Sequence, residues 1–311
     1  MSGVKNIMKY MKISAFCLIM NPHKFGYPWL ESIQSWLPFV DELVIIDGCS
    51  EPWVRNRIAD LKSPKIRVVF DKDTFWEDDW NYSRMGKNFN RGYHECTGDI
   101  VIKFDVDYIA QAGDDGREVD KFKTHCQMAI NQNKAIISFT RMNFNTVDRY
   151  FDKSPRDLAV NRIACKKLNI PVDFGLDMER WKGSWTPIVR NRIENGICYG
   201  DMINRKGQGF HSDIQVFNYG FAFSTKKEIE WVRFRHIKAE QRFGNDIPLK
   251  SSEGIMKRHI SSALHYFAKA KQYEIPLDRH PKIIQEKLRA LKENQQGYSF
   301  FGNLPKSKYY D

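Results

Sequence analysis

Asp105 and Asp107 stand one residue apart near the end of the run IVIKFDVDYI, residues 100–109. Carboxylates that close repel each other unless a cation lies on or between them. A hard divalent ion suits such a pair, and Mg²⁺ or Mn²⁺ held by few carboxylates usually completes its shell with substrate phosphate. Aspartate is also common in turns, so the pair gains meaning from its surroundings. An apolar run that ends in carboxylates reads as a buried strand bringing charge to its C-terminal edge, where ligands bind in open α/β sheets. Asp47 closes a second such run (ELVII, 42–46) and Asp71 a third (IRVVF, 66–70).

The elements that must position these acids alternate between strand and helix. Residues 13–20 (ISAFCLIM) form a nearly continuous apolar run ended by Asn21 and Pro22, which predicts a first buried strand. After Pro28, Trp29, Leu30, Ile33, Trp36 and Leu37 recur at helical spacing. Helices are expected over 83–96 and 115–131, the second with Val119, Phe122, Cys126 and Ala129 on one face. A strand is expected over 135–144. Ser154, Pro155 and Asp157 have the pattern of a helix start, which predicts a helix over 154–168. Short strands are expected at 185–190 and 197–199, a longer one at 215–223, and a helix at 226–242. Further on, Ile260, Ala263, Leu264 and Phe267 make one helical stripe, and Ile283, Ile284, Leu288 and Leu291 another. The whole reads as an α/β fold with a mostly parallel central sheet flanked by helices.

Composition narrows the partners. Lys+Arg 49 against Asp+Glu 38 leaves a net charge of +11, which favours an anionic ligand without saying which. The six cysteines (Cys17, Cys49, Cys96, Cys126, Cys165, Cys198) contain no CxxC pair. That spacing argues against a zinc site or a disulfide framework and suits a reducing compartment. No window reaches the roughly 18 to 20 apolar residues of a membrane span. A cytoplasmic protein is the expectation.

Several ordered signals together resemble the family 2 glycosyltransferases, which have the GT-A fold. Asn21 follows the opening strand. Asp47-Gly48-Cys49-Ser50 is similar to that family's Asp-x-Gly-Ser turn, with Cys in place of Gly. Asn90, Gly92, the Gly98-Asp99 turn and the Asp105-Val106-Asp107 motif keep the family's order and spacing. The resemblance is good over residues 12–110 and thinner afterwards. Arg190 follows an apolar residue as in later strands of relatives, and Asn218-Tyr219-Gly220 stands where many relatives have His-Tyr-Gly. The implied organisation is a glycosyltransferase domain over 1–245 with a helical extension and tail over 246–311.

The resemblance implies transfer of a sugar from a nucleotide diphosphate, UDP most commonly, to a carbohydrate or other acceptor hydroxyl. Inversion by single displacement with a carboxylate base is the implied course. Asp107 would hold Mg²⁺ or Mn²⁺, with Asp105 on the metal directly or through water and near the ribose. Asp47 would lie by the nucleobase or ribose. Asn21, Asp71, Arg84, Asn90 and Arg190 complete the candidate nucleotide contacts, with Lys87 and Arg91 as further cations for phosphate. The base is expected at Asp201, with Asp213 second and His211 after it.

Two other readings stand beside this one. A nucleotidyltransferase shares the sheet and acidic site, yet Asn21-Pro22-His23-Lys24 lacks its Gly-rich phosphate loop. A non-catalytic nucleotide- or glycan-binding protein would use the basic C-terminal helices, which alternatively pack on the domain or touch a membrane surface. No nucleic-acid-binding motif is present, so no nucleic-acid partner is expected.

Overall fold

In the computed structural model of the chain, which describes residues 11–71, 82–144, 148–170, 172–173, 188–189, 192–194, 197–199, 209–220, 222–223, 228 and 273–293, the apolar runs become strands. The first half alternates: β1 (Ile13–Ile19), α1 (Trp29–Trp36), β2 (Glu42–Asp47), α2 (Pro52–Ala59), β3 (Ile66–Phe70), α3 (Tyr82–Glu95) and β4 (Ile100–Lys103). Next come β5 (Tyr108–Ala110), α4 (Arg117–Asn131), β6 (Ile136–Phe144), β7 (Arg149–Asn161) and α5 (Arg162–Lys167). Two short pairs follow, β8 (Val172–Asp173) with β9 (Ile188–Val189) and β10 (Arg192–Glu194) with β11 (Ile197–Tyr199). The described chain ends with β12 (Gly209–Asn218), β13 (Tyr273–Glu274) and α6 (Lys282–Glu293).

The main sheet has the order β3-β2-β1-β4-β7-β6-β12-β5, with β13 beside β7. β3, β2, β1, β4, β6 and β12 run one way, and β7 and β5 the other. The fold is therefore α/β with a mostly parallel central sheet, as expected. Parallel direction brings the C-terminal ends of β1, β2, β3 and β4 to one edge, with Ile19 beside Asp47 and Asp47 beside Phe70.

Side chains alternate across this sheet with a period of two. Ala15, Cys17, Leu43, Ile45, Ile100 and Ile102 pack on one face with Trp36 and Phe39 near α1 and Phe122 of α4. Phe16, Val44, Ile46 and Val101 face the other way, against Phe89 and Tyr93 of α3 and Ala164 and Cys165 of α5. A third cluster joins Ile109, Met142, Phe144, Phe217 and Tyr219 to Ile284 and Leu288 of α6. Ile284, Leu288 and in part Leu291 of the α6 stripe thus pack on the sheet, while Ile283 is exposed. The expected helix at 226–242 and the stripe at 260–267 lie outside the described residues. Among the described residues, no helix is long and apolar enough to cross a membrane.

Two expectations fail. Residues 154–161 are strand, and the helix α5 begins at Arg162, where Asn161 accepts a bond from the Ala164 amide. The local Ser-Pro-x-Asp signal is overridden because Leu158, Ala159 and Val160 fill the sheet interior between β4 and β6. Pro155 stands opposite Thr140 of β6 but beyond residues 159–161, where β7 pairs with β4, so on the β4 side it removes no ladder bond. The expected strand at 215–223 is displaced to Gly209–Asn218. There Ser212, Ile214 and Val216 are buried in alternation with exposed His211 and Asp213.

Close packing also explains Gly92. A Cβ there would sit 2.3 Å from Phe16 Cδ2, so α3 lies on β1 at a distance that only glycine allows. Gly92→Ala should destabilise the protein by about 1–3 kcal/mol through overpacking, read as a lower denaturation midpoint; an unchanged midpoint would contradict the tight contact.

Candidate functional site

The strand β4 stops at Lys103 and the chain turns, closed by the Tyr108 amide donating to the Asp105 carbonyl (2.9 Å). This turn carries both aspartates to the C-terminal edge. Asp105 is 37% exposed, and its Oδ1 accepts from Lys103 Nζ at 2.7 Å. The lysine itself is 2% exposed and lies 4.6 Å from the centre of the Phe89 ring. Asp107 is held differently. Its carbonyl accepts from the Tyr219 amide (2.9 Å), and its Oδ1 is buried with no hydrogen-bond partner.

The end of β12 walls in Asp107. A Cβ on Gly220 would lie 2.5 Å from Asp107 Oδ2 and 3.2 Å from Asn218 Oδ1, so glycine lets the backbone approach the carboxylate. Asn218 Nδ2 donates to Asn143 Oδ1 at the end of β6 (2.8 Å), and Asn218 Oδ1 accepts from the Gly220 amide (2.9 Å). On β6, Arg141 Nη1 donates to the Tyr108 hydroxyl (3.1 Å). Burial, then the negative charge of Asp105, pushes the Asp107 carboxyl up to about 7, against the opposing pull of Lys103 and Arg141. An unsatisfied buried carboxylate oxygen among hard oxygen groups fits a divalent cation. Among the described residues, no group of three or more His, Cys, Asp or Glu side chains comes together that could hold a metal ion.

The β2 end forms the second part of the edge. Asp47 is fully buried, with Oδ1 accepting from the Ser50 amide (2.8 Å). Its Oδ2 makes no hydrogen bond, and Arg55 Nε lies 3.7 Å away. Arg55 also stacks 5.3 Å from the centre of Phe70, which closes β3 and is 54% exposed. Asn21, with a left-handed backbone (φ 42°), braces this turn. Its amide donates to Ser50 Oγ (3.1 Å) and its Oδ1 accepts from the Glu51 amide (2.8 Å). The Asn21 side chain thus shapes the turn that carries Asp47. Asp71 pairs with Arg91 at 3.5 Å, and Arg91 Nη2 also donates to the Phe70 carbonyl (3.2 Å).

The remaining candidates divide. Asn90 is buried within α3, Lys87 is exposed on it, and the helix includes Arg84, whose side chain is outside the described residues. Arg190 and Asp201 also lie outside them. Asp213 is described, and it is not at this edge. It precedes Asn218 by five strand residues, about 16 Å at the strand rise. It is 66% exposed and pairs with Lys121 of α4 at 3.1 Å. Partial burial pushes its carboxyl up, but the Lys121 ammonium outweighs this and the net shift is down. A carboxylate held as an anion by a surface lysine is poorly suited to accept a proton. His211 is occupied nearby, with its ring nitrogens 3.2 Å from Ser138 Oγ and 3.3 Å from Thr140 Oγ1.

Sequence reasoning missed Lys103, Asn143 and Arg55. Lys103 carried a signal, as a lone charge inside an apolar strand two residues before Asp105. Asn143 and Arg55 carried none, because strand order and a helical turn bring them to the edge.

No family model and no curated protein matches the chain. Solved structures similar to it include S. aureus TarS (1–349) in complex with UDP, at 11% identity and TM-score 0.39, covering 82% of this chain and 72% of that one. Another is the mannosyltransferase PcManGT from Pyrobaculum calidifontis in complex with GDP-Man and Mn²⁺, at 10% identity and TM-score 0.43, covering 95% and 83%. A third is glucosyl-3-phosphoglycerate synthase from Mycobacterium tuberculosis with Mn²⁺, UDP and glucosyl-3-phosphoglycerate, at 18% identity and TM-score 0.29, covering 42% and 44%. Likeness at this level leaves function to be read from the chain's own residues.

The raised Asp107 carboxyl gives a pH dependence. An unfolded aspartate titrates near 3.9, so between about pH 4 and about 7 the folded state holds an extra proton. Stability in metal-free buffer should therefore fall as pH rises through that window and level off above it. Denaturant titrations of wild type and Asp107→Asn, subtracted at each pH, should show this slope; parallel profiles would remove it.

Proposed function

We propose that this chain is a metal-dependent glycosyltransferase that moves a sugar from a nucleoside diphosphate to an acceptor hydroxyl. The observation that carries the reading is the convergence on one sheet edge of two carboxylates with unsatisfied buried oxygens, Asp107 and Asp47, with Asp105 between strands beside them. The sequence resemblance over residues 12–110 points the same way. Asp107, with Asp105 next to it, would hold Mg²⁺ or Mn²⁺. Such an ion supplies positive charge to the diphosphate that leaves as the glycosidic bond breaks.

The protein's own groups divide the remaining work. Asp47 Oδ2 offers an acceptor for a donor group of the nucleoside, and Arg55 and the exposed Phe70 ring flank it with a cation and an apolar surface. Asn143, Asn218 and Gly220 shape the wall behind Asp107. Arg91, paired to Asp71 and donating to the Phe70 carbonyl, is the expected phosphate cation whose side chain lies at the end of β3. Asp201, after β11 and Gly200, remains the proposed proton acceptor for an inverting displacement. Asp213 is not carried forward, because its strand position and its Lys121 partner remove it from this edge. UDP is the first donor nucleotide to try, on the resemblance alone.

The direct test is a melting screen of UDP, GDP, CDP and dTDP with and without Mn²⁺, followed by transfer assays with the matching nucleotide sugars. A binder present at a hundred times its dissociation constant stabilises by about 2.7 kcal/mol. Asp107→Ala should keep the fold, lose the Mn²⁺-dependent part of nucleotide binding and abolish transfer; wild-type transfer rates would overturn the reading. Asp47→Ala should weaken nucleoside diphosphate binding while leaving the affinity for Mn²⁺ alone unchanged. Asp201→Asn should slow transfer by about 10²- to 10⁴-fold with donor affinity retained.

A further inference from the structure

Lys103 is a buried lysine in the strand that delivers the two aspartates, and the proposed function gives it no task. It lies on the face of β4 turned toward α3, beside the Phe89 ring at 4.6 Å, and its ammonium meets Asp105 Oδ1 at 2.7 Å. A buried ammonium needs a hydrogen-bonded counter-charge, because removing one partner leaves the other uncompensated. The pair is therefore held on both sides. A second cation on Asp105 would draw its charge away from Lys103 and weaken that pair, and a divalent ion close to Lys103 meets its repulsion as well. Asp107 stands in contrast, since its buried Oδ1 has no partner.

Resting on the proposed metal role of Asp107, we propose that Lys103 is a positioning residue that keeps Asp105 out of the metal's shell. A divalent ion at this edge then meets one carboxylate, Asp107, and is retained mainly by the phosphates of the nucleotide. The two-aspartate motif counts as a single negative charge toward the metal, since Lys103 cancels the other. Mn²⁺ alone binds weakly, and a nucleoside diphosphate tightens it. By linkage, Mn²⁺ tightens the diphosphate by the same factor.

Lys103→Met keeps the apolar stem and removes the charge, which frees Asp105 to bind the ion. Titration of Mn²⁺ alone, without nucleotide, should show an affinity gain of about tenfold or more over wild type. Water proton relaxation should count one coordinated water fewer on the bound ion. A merely structural lysine predicts unchanged or weaker metal binding, and that result would overturn the proposal. Lys103→Met with Asp105→Asn removes both charges, so the net charge of the edge equals that of wild type. Its Mn²⁺ affinity should return to within about threefold of wild type, whereas a tenfold loss would show that Asp105 already ligates the ion and would overturn the proposal even if the single variant failed to fold. Wild type that binds Mn²⁺ no better than Asp107→Asn would instead sink the metal reading itself, and this inference with it.

Discussion

The last residue of β4 and the turn after it carry three charged side chains in five residues, Lys103, Asp105 and Asp107, and the sheet around them is apolar. A charge in such a place must be paired, hydrated or neutralised. Lys103 and Asp105 satisfy each other, while Asp107 is pushed up toward neutrality by burial and by its neighbour. The edge therefore rests with one buried carboxylate oxygen unsatisfied, the feature on which the proposed metal role rests. Much of the surrounding structure follows from keeping that carboxylate in place without collapse. The Tyr219 amide holds the Asp107 backbone, Gly220 leaves room for its carboxylate, and Asn143 fixes Asn218.

The β2 end repeats the arrangement with different parts. Asp47 uses one oxygen to close its own turn and keeps the other unsatisfied, while Asn21 and Ser50 tie the β1 and β2 loops together. A turn braced by several hydrogen bonds holds its carboxylate orientation before a ligand arrives. Such preorganisation reduces the ordering cost of binding. The structural role of Asn21 and the binding role proposed for Asp47 thus belong to one design.

The C-terminal helix bears on the same edge. Ile284 and Leu288 of α6 are fully buried against Phe144, Phe217 and Tyr219. Such side chains contribute about 1.5–3 kcal/mol each when buried. Just before the helix, His280 Nδ1 lies 2.6 Å from the Tyr219 hydroxyl, and burial lowers its imidazole to about 4, so it is neutral at ordinary pH. Tyr219 also donates its amide to Asp107, so the packing of α6 stiffens the segment that walls the carboxylate.

By itself the sequence determined the α/β alternation and which acids end strands. Nearly continuous apolar runs such as 13–19 and 43–46 become strands buried on both faces, and parallel direction then sends Asp47, Asp71 and the Asp105–Asp107 turn to one edge. Those patterns are local, so they are legible in one dimension. Tertiary structure decided what local signals could not. Residues 154–161 start like a helix but are strand, because their apolar half fills the gap between β4 and β6. Asp213 is as good a carboxylate as Asp107 on paper, yet register along β12 places it beside Lys121. Asn143, Asn218 and Arg55 reach the edge through strand order and helix phase, at sequence separations that no spacing rule covers. Lys103 was visible as a charge in an apolar run, but its partner depended on the turn that follows β4. Burial is a property of the assembled sheet, and it is burial that separates the exposed Asp213–Lys121 ion pair from the unpartnered oxygen of Asp107.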